Sequence, residues 1–231
     1  MPLSSPPRVR GLVLAAGAGR RMGGPKALLP APGGGTLVEA AIRLLREGGC
    51  DTVTVVVGAQ AAEVRAVVER LQPTAAGAAG PDLEVVECPE WDEGMGASLR
   101  AGLRHLRHHA DAAAGAPVEA VLVTLVDLPD LTPAVVHRLL APPAGGHREV
   151  TWRRELRRAA YDGAPGHPAL IGRDFWDATI ESAVGDRGAR EVYRTHPHQL
   201  VECGDLATGR DVDTREEAGS WGLPSAERSR E

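Results

Sequence analysis

Lysine is almost absent from this sequence of 231 residues. Lys26 is the only lysine, and every other basic residue among the 26 is an arginine. The formal net charge is -5, so the chain lacks the excess of positive charge that a general nucleic-acid-binding protein carries. We therefore expect no nucleic-acid partner. The one lysine lies in a glycine-rich segment near the amino end, which directs attention to that segment.

Cysteines and long apolar runs are also scarce. Cys50, Cys88 and Cys203 show no C-x-x-C spacing, which argues against a zinc site or a disulfide framework and favours a reducing cytoplasm. No apolar run approaches the ~20 residues that span a bilayer, so we expect no membrane segment. The apolar stretch near the amino end resembles a short signal peptide, but glycines interrupt it and Arg20 and Arg21 follow it.

The rest of the composition is typical of an ordinary folded domain. Apolar residues make up 43% of the chain and charged residues 25%. A chain of this length can bury a sizeable core. We predict one domain over residues 9–218, with a disordered lead at 1–8 and a flexible tail at 219–231.

The apolar pattern alternates between strands and helices along the chain. Apolar runs that begin near Val9, Thr52 and Glu119 predict strands covered on both faces, and a stretch with helical spacing follows each of them. Thr36 and Glu39 form a capping box at the start of the first helix. This alternation predicts an α/β fold with a mostly parallel sheet, a single-domain, Rossmann-like three-layer α/β/α sandwich.

The first predicted strand ends in a loop of glycines and cations. Four glycines between residues 17 and 24 let main-chain N–H groups point inward, and Arg20 and Lys26 add positive charge. The loop is not a P-loop, because a proline precedes Lys26 and no Ser or Thr follows it. It matches a dinucleotide-binding fingerprint poorly, since Met22 stands where the last glycine belongs. The segment predicts a loop that binds a nucleoside triphosphate; the alternative is a surface loop without a ligand.

A second glycine-rich turn and an acidic residue follow later predicted strands. Gly94 precedes a predicted helix, whose free N–H groups suit a polar or anionic ligand. The alternative is that Met95 and Ser98 serve only the core and the helix start. Asp127 ends the central strand, where open α/β sheets bind their ligands, and a triphosphate site needs oxygen ligands for Mg²⁺. Asp130 is the better candidate for shaping the following bend.

Histidines cluster at the end of the helix that follows Gly94. The spacing of His105 and His109 could serve a metal, but Arg104 and Arg107 would repel one. We interpret this cluster as a solvated basic face at a helix C-terminus.

Together these motifs resemble a known family. The string L-A-A-G-x-x-x-R-M-G-x-x-K, from Leu14 to Lys26, is similar to the signature loop of the MobA-like nucleotidyltransferases, which attach CMP or GMP to the molybdenum cofactor. The string G-D-x-G-A-R at 185–190 resembles the cofactor-cytidylyltransferase branch of that family. The resemblance implies a nucleotide-diphospho-sugar transferase-like fold and a Mg²⁺-dependent transfer of NMP from an NTP, with CTP favoured. It also implies a phosphorylated acceptor, a molybdopterin-type cofactor, and a molybdoenzyme or its maturation factor as protein partner.

The resemblance also implies roles for individual residues. The nucleotide-binding residues are Leu14, Ala15, Ala16, Gly17, Arg20, Lys26, Gly58, Gly94, Met95 and Ser98. The acceptor is bound by Tyr161, Gly163, Gly166, His167 and Pro168. Asp127 and Asp213 hold the metal. Arg20, Lys26 and Asp127 carry the catalysis.

Two other functions compete with this one. An NAD(P)H-dependent oxidoreductase would use the turn at Gly17 and Gly19, consume a nicotinamide hydride and need no metal. A nucleotide-binding module for cofactor delivery would bind NTP without releasing pyrophosphate. The acids Asp127 and Asp213 favour the transferase, because neither competitor requires a paired metal site.

Overall fold

Seven strands and seven α-helices are formed by the residues that the computed structural model describes, which are 8–72, 82–109, 117–142 and 150–221. The strands are β1 (Val9–Ala15), β2 (Thr52–Val57), β3 (Asp82–Glu87), β4 (Ala120–Leu125), β5 (Leu156–Tyr161), β6 (Ala164–Gly172) and β7 (Gln199–Glu202). The helices are α1 (Leu37–Glu47), α2 (Ala61–Glu69), α3 (Met95–His109), α4 (Pro133–Leu140), α5 (Trp176–Ser182), α6 (Arg190–Thr195) and α7 (Arg215–Ser220). Residues 1–7 of the expected lead at 1–8, and residues 222–231 of the expected tail, lie outside these residues.

All seven strands form one sheet in the order β3-β2-β1-β4-β6-β5-β7. Neighbours from β3 to β4 are parallel, whereas β6 runs antiparallel to both β4 and β5, and β7 is parallel to β5. The mostly parallel sheet is therefore confirmed. Because β2 and β4 lie on opposite sides of β1, the strand order reverses between β1 and β4, which opens a crevice at their carboxyl ends.

The side chains of β1 alternate between two cores on opposite faces of the sheet. Val13 packs in the core that contains Leu45 of α1, and Leu12 packs in the core that contains Leu103 of α3. All four side chains are fully buried. Burial on both faces explains why β1 carries no polar side chain from Gly11 to Ala15, and it confirms the predicted three-layer α/β/α arrangement.

The predicted start of α1 is confirmed by its hydrogen bonds. The Thr36 hydroxyl accepts a bond from the Glu39 N–H at 3.5 Å, and the Glu39 carboxylate accepts one from the Thr36 N–H at 2.5 Å. At the other end of the chain, α7 continues to Ser220, two residues beyond the predicted domain boundary. No helix among the described segments combines the length and the apolar character that a bilayer crossing requires.

Two local interpretations differ from the structure. Asp130 does not shape its own turn, because its carboxylate accepts hydrogen bonds from the Thr208 N–H (2.5 Å) and hydroxyl (2.7 Å). His105 is not part of a fully solvated face, since its Nε2 lies 3.0 Å from Glu84 Oε2 and its ring stacks on His109. Both side chains use partners from distant segments, which residue spacing could not identify.

Candidate active site

The glycine-rich loop after β1 folds back on itself. Gly19 has a φ of +56°, and a Cβ atom at this position would lie 2.0 Å from the carbonyl oxygen of Gly24. The Gly19 carbonyl accepts hydrogen bonds from the Met22 N–H at 2.8 Å and the Gly24 N–H at 3.4 Å. Only glycine fits this position, and the closed loop turns residues 17–20 towards a cavity.

A cavity of 390 Å³ lies in the crevice between this loop, the turn before α3 and the end of β4. That volume lies in the range of small-molecule sites. Eight of the ten predicted nucleotide-binding residues line it: Leu14, Ala16, Gly17, Arg20, Lys26, Gly94, Met95 and Ser98. Asp127 lines it as well, so segments far apart in the chain meet at one place.

The two remaining predicted residues do not line the cavity. Ala15 points into the core on the opposite face of the sheet. Gly58 lies beneath Trp91, where an added Cβ would come within 2.5 Å of the Trp91 Cβ and 2.8 Å of the Ala16 Cβ. Gly58 therefore makes room for Trp91, a cavity-lining aromatic residue that the motif analysis missed. The signal for it was a tryptophan in the same turn as Met95, directly after β3.

Lys26 joins the two predicted metal-binding acids. Its Nζ atom lies 2.8 Å from Asp127 Oδ2 and 2.5 Å from Asp213 Oδ1. The Lys26 and Asp127 side chains are 16% and 18% exposed, and that of Asp213 is 45% exposed. Burial alone lowers the pKa of Lys26, but the two carboxylates outweigh it, so the net pKa is raised. The hydrogen bond from Lys26 lowers the pKa of Asp213.

The segment after β7 places Asp213 at this site through its neighbours. The Val212 N–H donates to the Asp127 carbonyl at 2.9 Å, and the buried Val212 side chain packs with Met22 of the glycine-rich loop. The Asp213 and Thr214 N–H groups both donate to Glu217, whose own N–H donates to the Thr214 hydroxyl. Thr214 thus provides the side-chain cap of α7, and the Asp213 carboxylate is left to contact Lys26.

The donor set at this site fits a divalent cation. Asp127 Oδ1 is buried and has no hydrogen-bond partner among the residues described, while Oδ2 contacts Lys26. Mg²⁺ is usually bound by one or two carboxylates together with water and substrate phosphates. Asp127 and Asp213 supply two such groups; within the described ranges, no cluster of three or more potential ligands from His, Cys, Asp and Glu occurs.

The amino end of α3 already contacts a carboxylate of the chain itself. Asp186 Oδ1 accepts a hydrogen bond from the Met95 N–H at 3.4 Å, and a Cβ on Gly94 would lie 2.7 Å from the same oxygen. The expectation of a free anion site at this helix start is therefore wrong for the Met95 N–H. Asp186 came from a string that the resemblance singled out, but no spacing rule connected it with α3.

A second cavity of 110 Å³ adjoins the first and shares Leu14, Met95 and Asp186 with it. His167 lines this second cavity, and its pKa is lowered to about 4 by burial and then by the charge of Arg158. The imidazole is therefore neutral at neutral pH.

The other predicted acceptor-binding residues lie behind or away from this cavity. The Tyr161 hydroxyl donates to the His167 carbonyl at 2.7 Å, and a Cβ on Gly166 would come within 2.8 Å of the Tyr161 ring. Pro168 follows His167 through a cis peptide bond. Gly163 lies at the tip of the β5–β6 hairpin, where its N–H donates to Glu202, and its contact with the acceptor stays a prediction.

Sequence comparisons relate the chain to known proteins. The model of the MobA-like NTP transferase domain matches residues 11–200. A nicotine blue oxidoreductase from Paenarthrobacter nicotinovorans is 39% identical over 222 residues, which cover 91% of this chain and 95% of the relative. A molybdenum cofactor guanylyltransferase from Rhodobacter capsulatus is 31% identical over 175 residues, covering 75% of this chain and 68% of the relative.

Solved structures agree with the fold. The crystal structure of Rv0371c from Mycobacterium tuberculosis has a TM-score of 0.65 and 26% identity, with 94% of this chain and 98% of that chain covered. A second structure of Rv0371c, 25% identical with a TM-score of 0.62 over 93% of this chain and 97% of that chain, is a complex with manganese. The family model covers most of the chain, including the glycine-rich loop that lines part of the larger cavity. The chain belongs to the MobA-like NTP transferase family and has its nucleotide-diphospho-sugar transferase-like fold.

Proposed function

We propose that this chain transfers a nucleoside monophosphate from a nucleoside triphosphate to a phosphorylated small molecule and releases pyrophosphate. The observation that carries the proposal is the contact of Lys26 with both Asp127 and Asp213 beside the glycine-rich loop. One cation and two carboxylates beside the glycine-rich loop suit the binding of a triphosphate with a divalent metal. The three buried cysteines form no disulfide, which supports a reducing cytoplasm as the location.

The loop supplies the groups that bind the triphosphate. The Ala18 and Arg20 N–H groups make no backbone hydrogen bond within the described segments, so they are available to phosphate oxygens. The exposed Arg20 side chain lines the cavity and has no ion-pair partner among the described residues. Lys26 brings a second positive charge to the same wall. Fixed donors of this kind stabilise the charge that develops on the phosphates during transfer.

The transfer needs no nucleophilic side chain. An oxygen of the acceptor phosphate forms a bond to the α-phosphorus of the donor. The bond from the α-phosphorus to the oxygen that bridges to the β-phosphate breaks, and pyrophosphate leaves with that electron pair. Asp127 and Asp213 would hold the metal, and Mg²⁺ bound there would neutralise charge on the donor phosphates. The protein contributes position and electrostatics.

The proposal also specifies the base of the donor nucleotide and the chemical class of the acceptor. The resemblance favours CTP and a molybdopterin-type acceptor, whereas the relative from Rhodobacter capsulatus is a guanylyltransferase. We keep CTP as the proposed donor and GTP as its competitor. A molybdoenzyme or its maturation factor is the proposed recipient of the product.

Pyrophosphate release tests the function directly. The full chain is incubated with each of the four NTPs, Mg²⁺ and candidate phosphorylated acceptors, and pyrophosphate is measured with an enzyme-coupled assay. Asp127→Asn is expected to lower turnover by about 10²–10³-fold in a protein that remains folded at the assay temperature, which thermal unfolding verifies. Asp211→Asn, an exposed acid close to Asp213 in the chain, is the matched control and is expected to keep full activity. Equal turnover in wild type and Asp127→Asn would refute the proposal, as would NTP binding without pyrophosphate release from any acceptor.

A second candidate function is reduction of a small molecule by NAD(P)H. The 39% identity to nicotine blue oxidoreductase over nearly the whole chain favours it. Under this function the glycine-rich loop binds the pyrophosphate of a dinucleotide, and the acids Asp127 and Asp213 have no required role. The two candidates differ in their readout: loss of the reduced-nicotinamide absorbance without added metal supports reduction, and NTP- and metal-dependent pyrophosphate release supports transfer.

A further inference from the structure

We propose that the second cavity binds the acceptor through a phosphate monoester dianion, held by the guanidinium groups of Arg158, Arg187 and Arg190. This inference rests on the proposed transfer function and names the part of the acceptor that the chain recognises. The resemblance assigned the acceptor to Gly163, Gly166, His167 and their neighbours, whereas these arginines are additional.

The charges around this cavity are predominantly positive. Three arginine side chains line it, against the one carboxylate of Asp186. None of the three forms an ion pair with a carboxylate in the part of the chain that the structure describes. The remaining wall is largely apolar, with Leu99, Val123 and Ile171 among its residues. An anionic group on an apolar body has the matching chemistry.

The Arg158 side chain is held in place, but only part of its hydrogen-bonding capacity is used. Its Nε donates to the Gly166 carbonyl at 3.3 Å, and its guanidinium lies 5.3 Å from the centroid of the Tyr193 ring. The Tyr193 hydroxyl donates to the Leu170 carbonyl at 2.9 Å, so the ring is a fixed support. The two terminal nitrogens of Arg158 have no hydrogen-bond partner among the described residues. They form the fork that binds two oxygens of a phosphate.

Arg190 places a second positive charge close to Arg158. Burial lowers the pKa of Arg158, and the charge of Arg190 lowers it further against the opposing effect of Tyr193. Two like charges that face one cavity destabilise each other unless an anion lies between them. A dianion removes this repulsion, whereas a neutral ligand does not.

The segment 185–189, which carries Arg187 and leads into α6 at Arg190, is packed against α3. A Cβ on Gly96 would lie 2.8 Å from the Gly185 carbonyl oxygen, and a Cβ on Gly188 would lie 3.1 Å from the Met95 Cε. Close contact through glycines holds the loop on the helix start. The arginines are therefore presented from a supported backbone, as a binding site for a defined group requires.

The position of this cavity is suited to the transfer. It shares Leu14, Met95 and Asp186 with the larger cavity. Arg158 and Asp127 both act electrostatically on the buried His167, so the arginine site and the proposed metal site lie near one imidazole. At 110 Å³ the second cavity is too small for a whole drug-sized ligand and suits one end of it. An acceptor phosphate bound here lies next to the donor phosphates.

The test uses phenyl phosphate, phenyl sulfate and phenol as probes of the full chain. Their binding is measured by NMR titration with saturating pyrophosphate, which occupies the larger cavity. Phenyl phosphate is expected to bind at least about tenfold more tightly than phenyl sulfate, and phenol not measurably, because a dianion gains more from paired arginines. Arg158→Gln is expected to weaken phenyl phosphate binding by about tenfold or more. Arg194→Gln is the matched control, because Arg194 lies on α6 but pairs with Glu191 at 2.5 Å instead of lining the cavity.

The outcomes separate this inference from the proposed function. Equal phenyl phosphate affinity in Arg158→Gln and Arg194→Gln, or equal affinity for phenyl phosphate and phenol, overturns the inference. NTP binding, measured separately by calorimetry, is expected to stay within about twofold of wild type in Arg158→Gln. If wild type binds phenyl phosphate with the expected arginine dependence but releases no pyrophosphate from any NTP, the proposed function fails while the anion site stands. If Arg158→Gln does not fold, Arg190→Gln, on an exposed residue of the same cavity, takes its place.

Discussion

Replacing Lys26 by Met removes the cation that holds two acids together. Asp127 and Asp213 would then face one site with no positive charge between them. Methionine keeps most of the length and apolar contact of the lysine stem, so the change is mainly one of charge. Because Lys26 is the only lysine in the chain, no other lysine side chain can take its place.

The expected loss of stability follows from the exposure of the two pairs. Breaking a buried ion pair costs ~3–5 kcal/mol, whereas an exposed pair contributes ~0.2–1 kcal/mol. The Lys26–Asp127 pair is closer to a buried pair, because its side chains are 16% and 18% exposed. The Lys26–Asp213 pair is closer to an exposed pair, because the Asp213 side chain is 45% exposed. We expect a loss of about 2–3 kcal/mol in the free energy of unfolding. For a chain of this size that lowers the unfolding temperature by about 5–10 °C.

Thermal unfolding with and without Mg²⁺ is the assay. Mg²⁺ is expected to stabilise Lys26→Met more than wild type, because the variant leaves Asp127 without a cation and Asp213 with only the exposed Arg21. Ligand binding to the folded state then raises its stability. Arg21→Met is the control: it removes the same charge beside Asp213, but the Arg21 side chain is 79% exposed and 3.9 Å away, so we expect less than about 0.5 kcal/mol. Equal destabilisation by the two substitutions, or a Mg²⁺ effect no larger in Lys26→Met than in wild type, would refute this reasoning.

Gly19→Ala is expected to weaken NTP binding by about tenfold or more, because a φ of +56° and a Cβ at 2.0 Å from a carbonyl oxygen force the loop open. Gly17→Ala, where no atom lies within 4 Å of the added Cβ, should leave the unfolding temperature unchanged. Calorimetry compares NTP binding by the two variants, and thermal unfolding compares their unfolding temperatures. Equal effects of the two substitutions on both measurements contradict the prediction. Glu84→Gln should cost about 2 kcal/mol at neutral pH, because it leaves the buried Arg10 without its counter-charge. Burial raises the pKa of Glu84, but its hydrogen-bonded basic partners lower it by more, so this stabilisation is present above about pH 4.3 and is lost as the pH falls through the folded-state pKa. Denaturant unfolding across pH measures the free energy of unfolding of Glu84→Gln and of the control Glu87→Gln, whose side chain is 59% exposed. A loss of stability in Glu84→Gln that is undiminished at about pH 2 contradicts the prediction.

The part of the sheet that could not be predicted is the position and reversed direction of β6. Residues 156–172 contain arginines and a dense group of turn formers, and this local pattern indicates neither a strand direction nor a neighbouring strand. In the structure β6 inserts next to β4, and β5 pairs outside it. Strand pairing between segments far apart in the chain depends on which edge is available, and local periodicity carries no information on that.

The site residues also fall into two groups, those that local sequence patterns identify and those that only contacts between distant segments identify. The loop at 17–26 and the acid at the end of β4 are visible in the sequence, because glycines and a strand end have local signatures. Asp213, 187 residues beyond Lys26, was assigned through the family resemblance, since no spacing rule reaches that far. Asp186 at the start of α3, and Arg158 beside the neutral His167, became visible only in the folded chain.

What the sequence by itself determined is therefore the alternation of strands and helices, the glycine-rich loop and the acid after the central strand. Each of these is fixed within one turn or one strand, by burial on two faces or by a backbone angle that favours glycine. The tertiary structure alone decided which charges meet: Lys26 with two acids in one cavity, and three arginines around its neighbour. Electrostatic contacts act through space, so their partners are set by how the layers pack and by where the last strands join the sheet.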